Sequence, residues 1–136
     1  MTQEYVNQVA YKIVGCAIEV HKELGPGLLE SIYEFSLAEE LKFQGLHVNT
    51  QVAVPIFYKG KEAPAALKID LLVEDLVVVE LKSVEILLPI FKAQLLTYLK
   101  LMQRPKGLLI NFNCLNITKD GLIPLVTPLF AQLPKT

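Results

Sequence analysis

Apolar positions in the first part of the chain recur at helical spacing. Val6, Val9, Ala10, Ile13, Val14, Ala17, Ile18 and His21 fall on one side of a 3.6-residue period, which predicts a helix over Glu4–Leu24. Gly25-Pro26-Gly27 ends it, because Pro cannot continue a helix and Gly tolerates the turn. A second helical pattern starts near Leu28 and runs to about Gln44, with Gly45 as its stop. His47–Phe57 reads as a strand, and Pro55 inside it points to an edge or a bulge. Tyr58-Lys59-Gly60-Lys61 reads as a turn and Glu62–Ala66 as a loop. From Leu67 to Ser83 the period changes to two, the pattern of paired strands. Ile69, Leu71 and Val73 then share one face, with Lys68, Asp70 and Leu72 on the other. In the second strand Val77, Val79 and Leu81 oppose Val78, Glu80 and Lys82. A turn over Glu74-Asp75-Leu76 pairs Val73 with Val77, Leu71 with Val79 and Asp70 with Glu80. A helix follows over Pro89–Met102, with Pro89 suited to its first turn, and Arg104-Pro105-Lys106-Gly107 breaks it. Leu108–Phe112 is a short apolar run expected to form a buried strand. The helix before it makes it a parallel neighbour of the Glu80 strand through a right-handed crossover. The tail, Gly121–Thr136, carries three prolines and is expected to hold one short strand at Leu122–Val126 and otherwise to be irregular. This order predicts one α/β domain over residues 1–136, a mixed sheet flanked by helices.

Composition adds further constraints. Hydrophobic residues make up 52% of the 136, a surplus that suits a buried strand pair and an oligomer interface, so a homo-oligomer is expected. No apolar run approaches the roughly 20 residues that span a bilayer, so no membrane partner is expected. The opening MTQEYVNQVAYK lacks the basic start and apolar block of a signal peptide, which points to a cytoplasmic protein. Net charge is −1 with no basic run, so charge gives no support for nucleic acid as a partner. Cys16 and Cys114 lack metal-ligand spacing and are expected to be free thiols. His21 and His47 are too few and too scattered for zinc.

The candidate chemistry lies on the polar face of the paired strands. Asp70 and Glu80 oppose each other about 5 Å apart, and facing carboxylates need a proton, a cation or a metal between them. Hard oxygen ligands suit Mg²⁺ or Mn²⁺. Such an ion polarises a phosphoryl oxygen and acidifies a bound water. Lys82 shares the face of Glu80, where its ammonium can orient that water or offset charge in the transition state. The competing reading is a solvated sheet face with a Lys–Glu pair, but flanking helices bury both faces of a mixed sheet, and buried charges need partners. Glu30 is a second anomaly: it shares a helix face with Tyr33, Leu37 and Leu41, yet as a first-turn acid it also simply complements the helix dipole. Gln94 and Tyr98 lie four apart on the third helix, whose start can return over the site. There Gln94 either binds a phosphate or base edge or forms a half-exposed pair with Tyr98. His21 sits one turn beyond Ala17, where a lone His on an apolar face is more often a core residue than a site residue. GxGxxG, GxxxxGK[ST], GxSxG and HExxH are absent, which removes nucleotide-dependent and triad-hydrolase readings.

Asp70, nine intervening residues and Glu80-Leu81-Lys82 resemble the PD-(D/E)xK nuclease-like signature. The stretch His21-Lys22-Glu23-Leu24-Gly25-Pro26-Gly27-Leu28-Leu29-Glu30-Ser31-Ile32-Tyr33 resembles the hallmark of the GxxExxY protein family, with Gly27, Glu30 and Tyr33 in its named positions. Ala93–Leu99 and Gly107–Asn113 are similar to the same family, so the likeness runs from about Ile13 to Asn113. It implies a restriction-endonuclease-like core. It also implies that Glu30, Asp70, Glu80 and the Leu81 carbonyl hold the metal, that Lys82 is the catalytic lysine, and that Gln94 matches a helix glutamine of exonuclease-like branches. Phe91 stands where the family usually has His, Lys68 where it often has Arg, and Ile69 where the motif's Pro would precede Asp70. The expected function is metal-dependent phosphodiester hydrolysis. The alternative is a catalytically inactive nuclease-fold module that binds or regulates.

Overall fold

The computed structural model describes residues 1–136. Helix α1 spans Gln3–Leu24, capped by Thr2, whose hydroxyl accepts the Tyr5 N–H at 3.1 Å. It stops at Gly25, whose φ of +71° is the left-handed stop that glycine adopts without strain. Helix α2 covers Glu30–Phe43, beginning two residues later than the sequence pattern suggests. Strand β1 runs Val48–Val54 and ends before Pro55, which closes the strand instead of sitting within it. A small separate ladder, β2 (Phe57–Tyr58) with β3 (Lys61–Glu62), occupies the segment expected to be a turn and loop. Strands β4 (Leu67–Val73) and β5 (Val77–Lys82) form the expected hairpin, turning through Glu74 and Asp75, both at φ +54°. Helix α3 spans Pro89–Met102 as predicted. Strand β6 begins at Lys106, inside the predicted break, and ends at Asn111. Strand β7 spans Leu122–Val126. Two further elements were not expected from the sequence: a single π-type turn at Ile117–Gly121 and helix α4, Pro128–Gln132.

The main sheet has the order β1-β4-β5-β6-β7, antiparallel except for the parallel β5–β6 pair. Helices α1 and α2 cover one face through Ile13, Ala17, Tyr33, Leu37 and Leu41 against Leu71, Val79, Leu81 and Ile110. Helix α3 covers the other through Leu95 and Leu99 against Ile69, Leu72, Val78 and Leu109. The chain is therefore an α/β protein with a mixed five-stranded sheet flanked by helices, consistent with a restriction-endonuclease-like fold. No helix is long and apolar enough to cross a membrane.

One packing result corrects the alternation read from the sequence. Ile69 does not share the face of Leu71 and Val73; it packs with Leu72 under α3. Strand β1 swaps in step: Val48 packs on the α1–α2 side, whereas Val52 and Val54 lie on the α3 side. No residue is inserted, since the β1–β4 rungs keep constant register from Val48↔Val73 to Val54↔Leu67. The rung that is missing would join Gln51 to Asp70, and Gln51 has φ +49°. Both strands thus exchange faces at one point, and that point carries Asp70.

Candidate active site

The β4–β5 ladder is regular from Val73↔Val77 through Leu71↔Val79 and stops there. Beyond it the strands part, and two carboxylates take over the ladder's hydrogen bonds. The Leu81 N–H donates to Asp70 Oδ2 at 2.8 Å, and the Asp70 N–H donates to Glu80 Oε1 at 3.0 Å. Asp70 and Glu80 thus meet as side chains bound to each other's strand, which differs from the direct cross-strand pair drawn from the sequence. These two hydrogen bonds fix both side chains. Strand β5 continues past the split, held by parallel pairing with β6 out to Lys82↔Asn111.

Asp70 keeps its second oxygen for a side chain that no sequence pattern singles out. Gln51 donates its amide to Asp70 Oδ1 at 3.4 Å and also to Glu34 Oε1. Glu34 lies one turn after Glu30 on α2, so i, i+4 spacing marks it, but only the packing of α2 against β1 places Gln51 beside it. Burial raises the Glu34 carboxyl above the usual range; the Gln51 hydrogen bond pulls it back, and the Asp70 charge pushes it up again. Glu30 itself is solvent-exposed and acts on the site through charge: it, Asp70 and, first of all, burial push the Glu80 carboxyl up to about 8. The Asp70 N–H and the Lys82 ammonium oppose that rise.

Lys82 is half-buried with Nζ 4.4 Å from the centre of the Phe91 ring, a cation–π contact that holds the ammonium beside the split without an ion pair. Phe91, the departure from the expected family pattern, is thus the seat of Lys82. Tyr98 on α3 is half-buried, and its hydroxyl is pushed above its usual range by burial and then by the charges of Glu80 and Asp70. Gln94, one turn earlier, is exposed and no side-chain hydrogen bond ties it to the carboxylates.

Tyr33 and His21 have structural partners. The Tyr33 hydroxyl donates to the Gly25 carbonyl at 2.6 Å and accepts the Leu28 N–H at 3.1 Å, while its ring stacks on Phe112 at 4.4 Å. It therefore fixes the Gly25–Leu28 turn that delivers Glu30 to α2. His21 Nε2 lies 2.8 Å from the Cys114 carbonyl, with its ring beside Phe112. Neither side chain reaches the carboxylates. The loop after Lys82 is held from both sides. Asn111 is buried; its Oδ1 accepts the Val84 N–H at 3.1 Å and its Nδ2 donates to the Val84 carbonyl at 2.9 Å. Ser83 donates its hydroxyl to the Leu28 carbonyl at 2.6 Å.

The donor chemistry suits a hard divalent ion: carboxylate oxygens gathered where burial and mutual repulsion leave Glu80 hard to ionise. No three acidic, His or Cys side chains stand in ligating positions around one point, and Asp70 and Glu80 each accept a backbone N–H. The donor set fits such an ion in chemistry. No curated protein and no solved structure matches the chain. Residues 7–122, from within α1 to the start of β7 and including every carboxylate of the split, match the PD-(D/E)XK nuclease superfamily. With that match over most of its length and the mixed sheet described above, the chain belongs to the PD-(D/E)XK nuclease superfamily.

Proposed function

We propose that this protein is a divalent-metal-dependent nuclease of the GxxExxY branch, hydrolysing phosphodiester bonds at the split between β4 and β5. The observation that carries the reading is the pair of backbone-anchored carboxylates, Asp70 and Glu80, with Lys82 seated beside them. Gly27 at φ +93°, Glu30 and the Tyr33 hydroxyl bonds give the branch's named residues a coherent local role, which supports that placement. Members of the superfamily generally use divalent metals. Mg²⁺ or Mn²⁺ bound here would polarise the phosphoryl oxygen and lower the pKa of a water.

In this reading Asp70, Glu80, Glu30 and the Leu81 carbonyl hold the ion. Lys82 places its ammonium against the charge that develops on the phosphate, and Phe91 keeps it aimed. Tyr98, and Gln94 one turn away, line the α3 side where a phosphate or base enters. The test is hydrolysis of single- and double-stranded DNA and RNA with Mg²⁺ or Mn²⁺. Lys82→Ala is expected to lower the rate by about 10²–10³ at an unchanged fold. Equal rates in the variant, or no hydrolysis by the wild type on any substrate, overturn it.

One observation favours a second reading, a nuclease-fold module that binds or regulates without turnover: Asp70 and Glu80 already engage backbone amides, and no ligand trio is preformed. Calorimetric titration separates the two, since absence of any divalent binding selects the module. Self-association, supported by the exposed Leu29, Phe35 and Phe43 of α2 and its approach, is read by light scattering.

A further inference from the structure

The chain's net charge of −1 conceals an asymmetry. Residues 1–50 hold seven glutamates and three lysines, so residues 51–136 carry a net +3. Within that second part, the β2–β3 ladder stands apart from the main sheet and presents Tyr58, Lys59 and Lys61, all exposed, with Tyr58 72% exposed. Its tip is tight: Lys59 and Gly60 have φ of +48° and +82°, the left-handed pair of a two-residue hairpin turn. The Ala63 N–H donates to the Ile56 carbonyl at 2.8 Å and closes its base. The two faces of the ladder differ. Tyr58 opposes Lys61, and the Lys59 ammonium lies 5.4 Å from the Tyr58 ring centre. Phe57 opposes Glu62 on the other face. One face therefore offers an aromatic plane with two ammonium groups, the other an aromatic plane beside a carboxylate.

The ladder also lies at the right end of the sheet. It leaves β1 and re-enters β4 at the Val54↔Leu67 rung, three strand residues or about 10 Å from Asp70. Strand β5 runs antiparallel to β4, so Lys82 lies at this same end.

We propose that the Tyr58–Lys59–Lys61 face of the β2–β3 hairpin is the arm that holds a single-stranded nucleic acid for the carboxylate split. An exposed ring stacks on an unpaired base, and ammonium groups beside it take the flanking phosphates. Duplex bases are already stacked on one another, and two lysines supply few of the phosphate contacts by which duplex binders gain affinity. The inference names the substrate form for the site proposed above and rests on that reading. Binding measured in EDTA separates the two: hydrolysis without dependence on Tyr58 removes only the arm, and Tyr58-dependent binding without hydrolysis removes only the nuclease.

The experiment is fluorescence anisotropy of a labelled oligodeoxythymidine, and of a duplex of equal length, across a salt series in EDTA. Tyr58→Ala is expected to weaken single-strand binding at least about fivefold. Tyr58→Phe, which keeps the ring, is expected to retain it. Lys59→Ala with Lys61→Ala is expected to flatten the slope of log affinity against log salt by about 1.4. Phe57→Ala, on the acidic face, is expected to change affinity less than Tyr58→Ala does. Undiminished binding by Tyr58→Ala, no single-strand affinity in the wild type, or tighter binding of the duplex overturns the proposal.

Discussion

The two ends of the β4–β5 hairpin are built from the same strands and solve the same problem in opposite ways. At the turn end Leu71, Val73, Val77 and Val79 are fully buried, and their backbone groups pair with one another in register. At the open end Asp70 and Glu80 replace that pairing with their own carboxylates. The closed end is stabilised by apolar burial and serves the fold. The open end gathers two carboxyl groups in a half-buried place, which costs stability and is where the proposed site lies. Two residues along a strand separate Leu71, with no polar atom to satisfy, from Ile69 on the opposite face; Asp70 between them is where the strand changes what it faces.

The largest expected effect breaks the closed end. Leu71→Ala leaves a cavity at a fully buried position and is expected to cost about 2–5 kcal/mol in denaturant unfolding. A loss near zero would mean that the turn end is no more a packed core than the open end is.

The second effect sharpens the contrast through pH. Folding raises the Glu80 carboxyl from 4.5 to about 8, so between those values the folded chain holds a proton that the unfolded chain has released. Its contribution is fully present below about 4.5 and is lost as pH rises through about 8. Stability of the wild type relative to Glu80→Gln is expected to fall across that window, by up to about 1.4 kcal/mol per pH unit. Parallel stability–pH curves for the two proteins would place Glu80 in an ordinary solvated setting.

The smallest effect concerns the Gln51 bridge. Gln51→Ala removes the hydrogen bond that lowers the Glu34 carboxyl, so the Glu34 titration midpoint is expected to move upward by NMR. An unmoved midpoint would detach Glu34 and Gln51 from the site.

Much of the fold is legible in the chain because local signals agree with it. Pro89 opens α3 at its stated residue, and the helix between Glu80 and Leu108 forces the parallel pair. Asp70, Glu80 and Lys82 stand out by alternation together with the flanking helices that bury their face, while Glu30 gains weight only from resemblance. What is not legible depends on tertiary placement. Strict period two puts Ile69 with Leu71, and only the left-handed Gln51 on the neighbouring strand reveals the swap. Glu34 on α2 and Gln51 on β1 are 17 residues apart and meet only because α2 packs against β1. Helix α4 is five residues long between prolines, too short to show a period.

The most direct measurement is an anomalous difference map from crystals soaked in Mn²⁺. The expected map has one peak within about 2.5 Å of carboxylate oxygens from both Asp70 and Glu80, with the Leu81 N–H released from Asp70 Oδ2 or sharing it. A map with no peak at the split, or with Mn²⁺ bound only elsewhere, contradicts the assignment of a metal-dependent site to the open end of the hairpin.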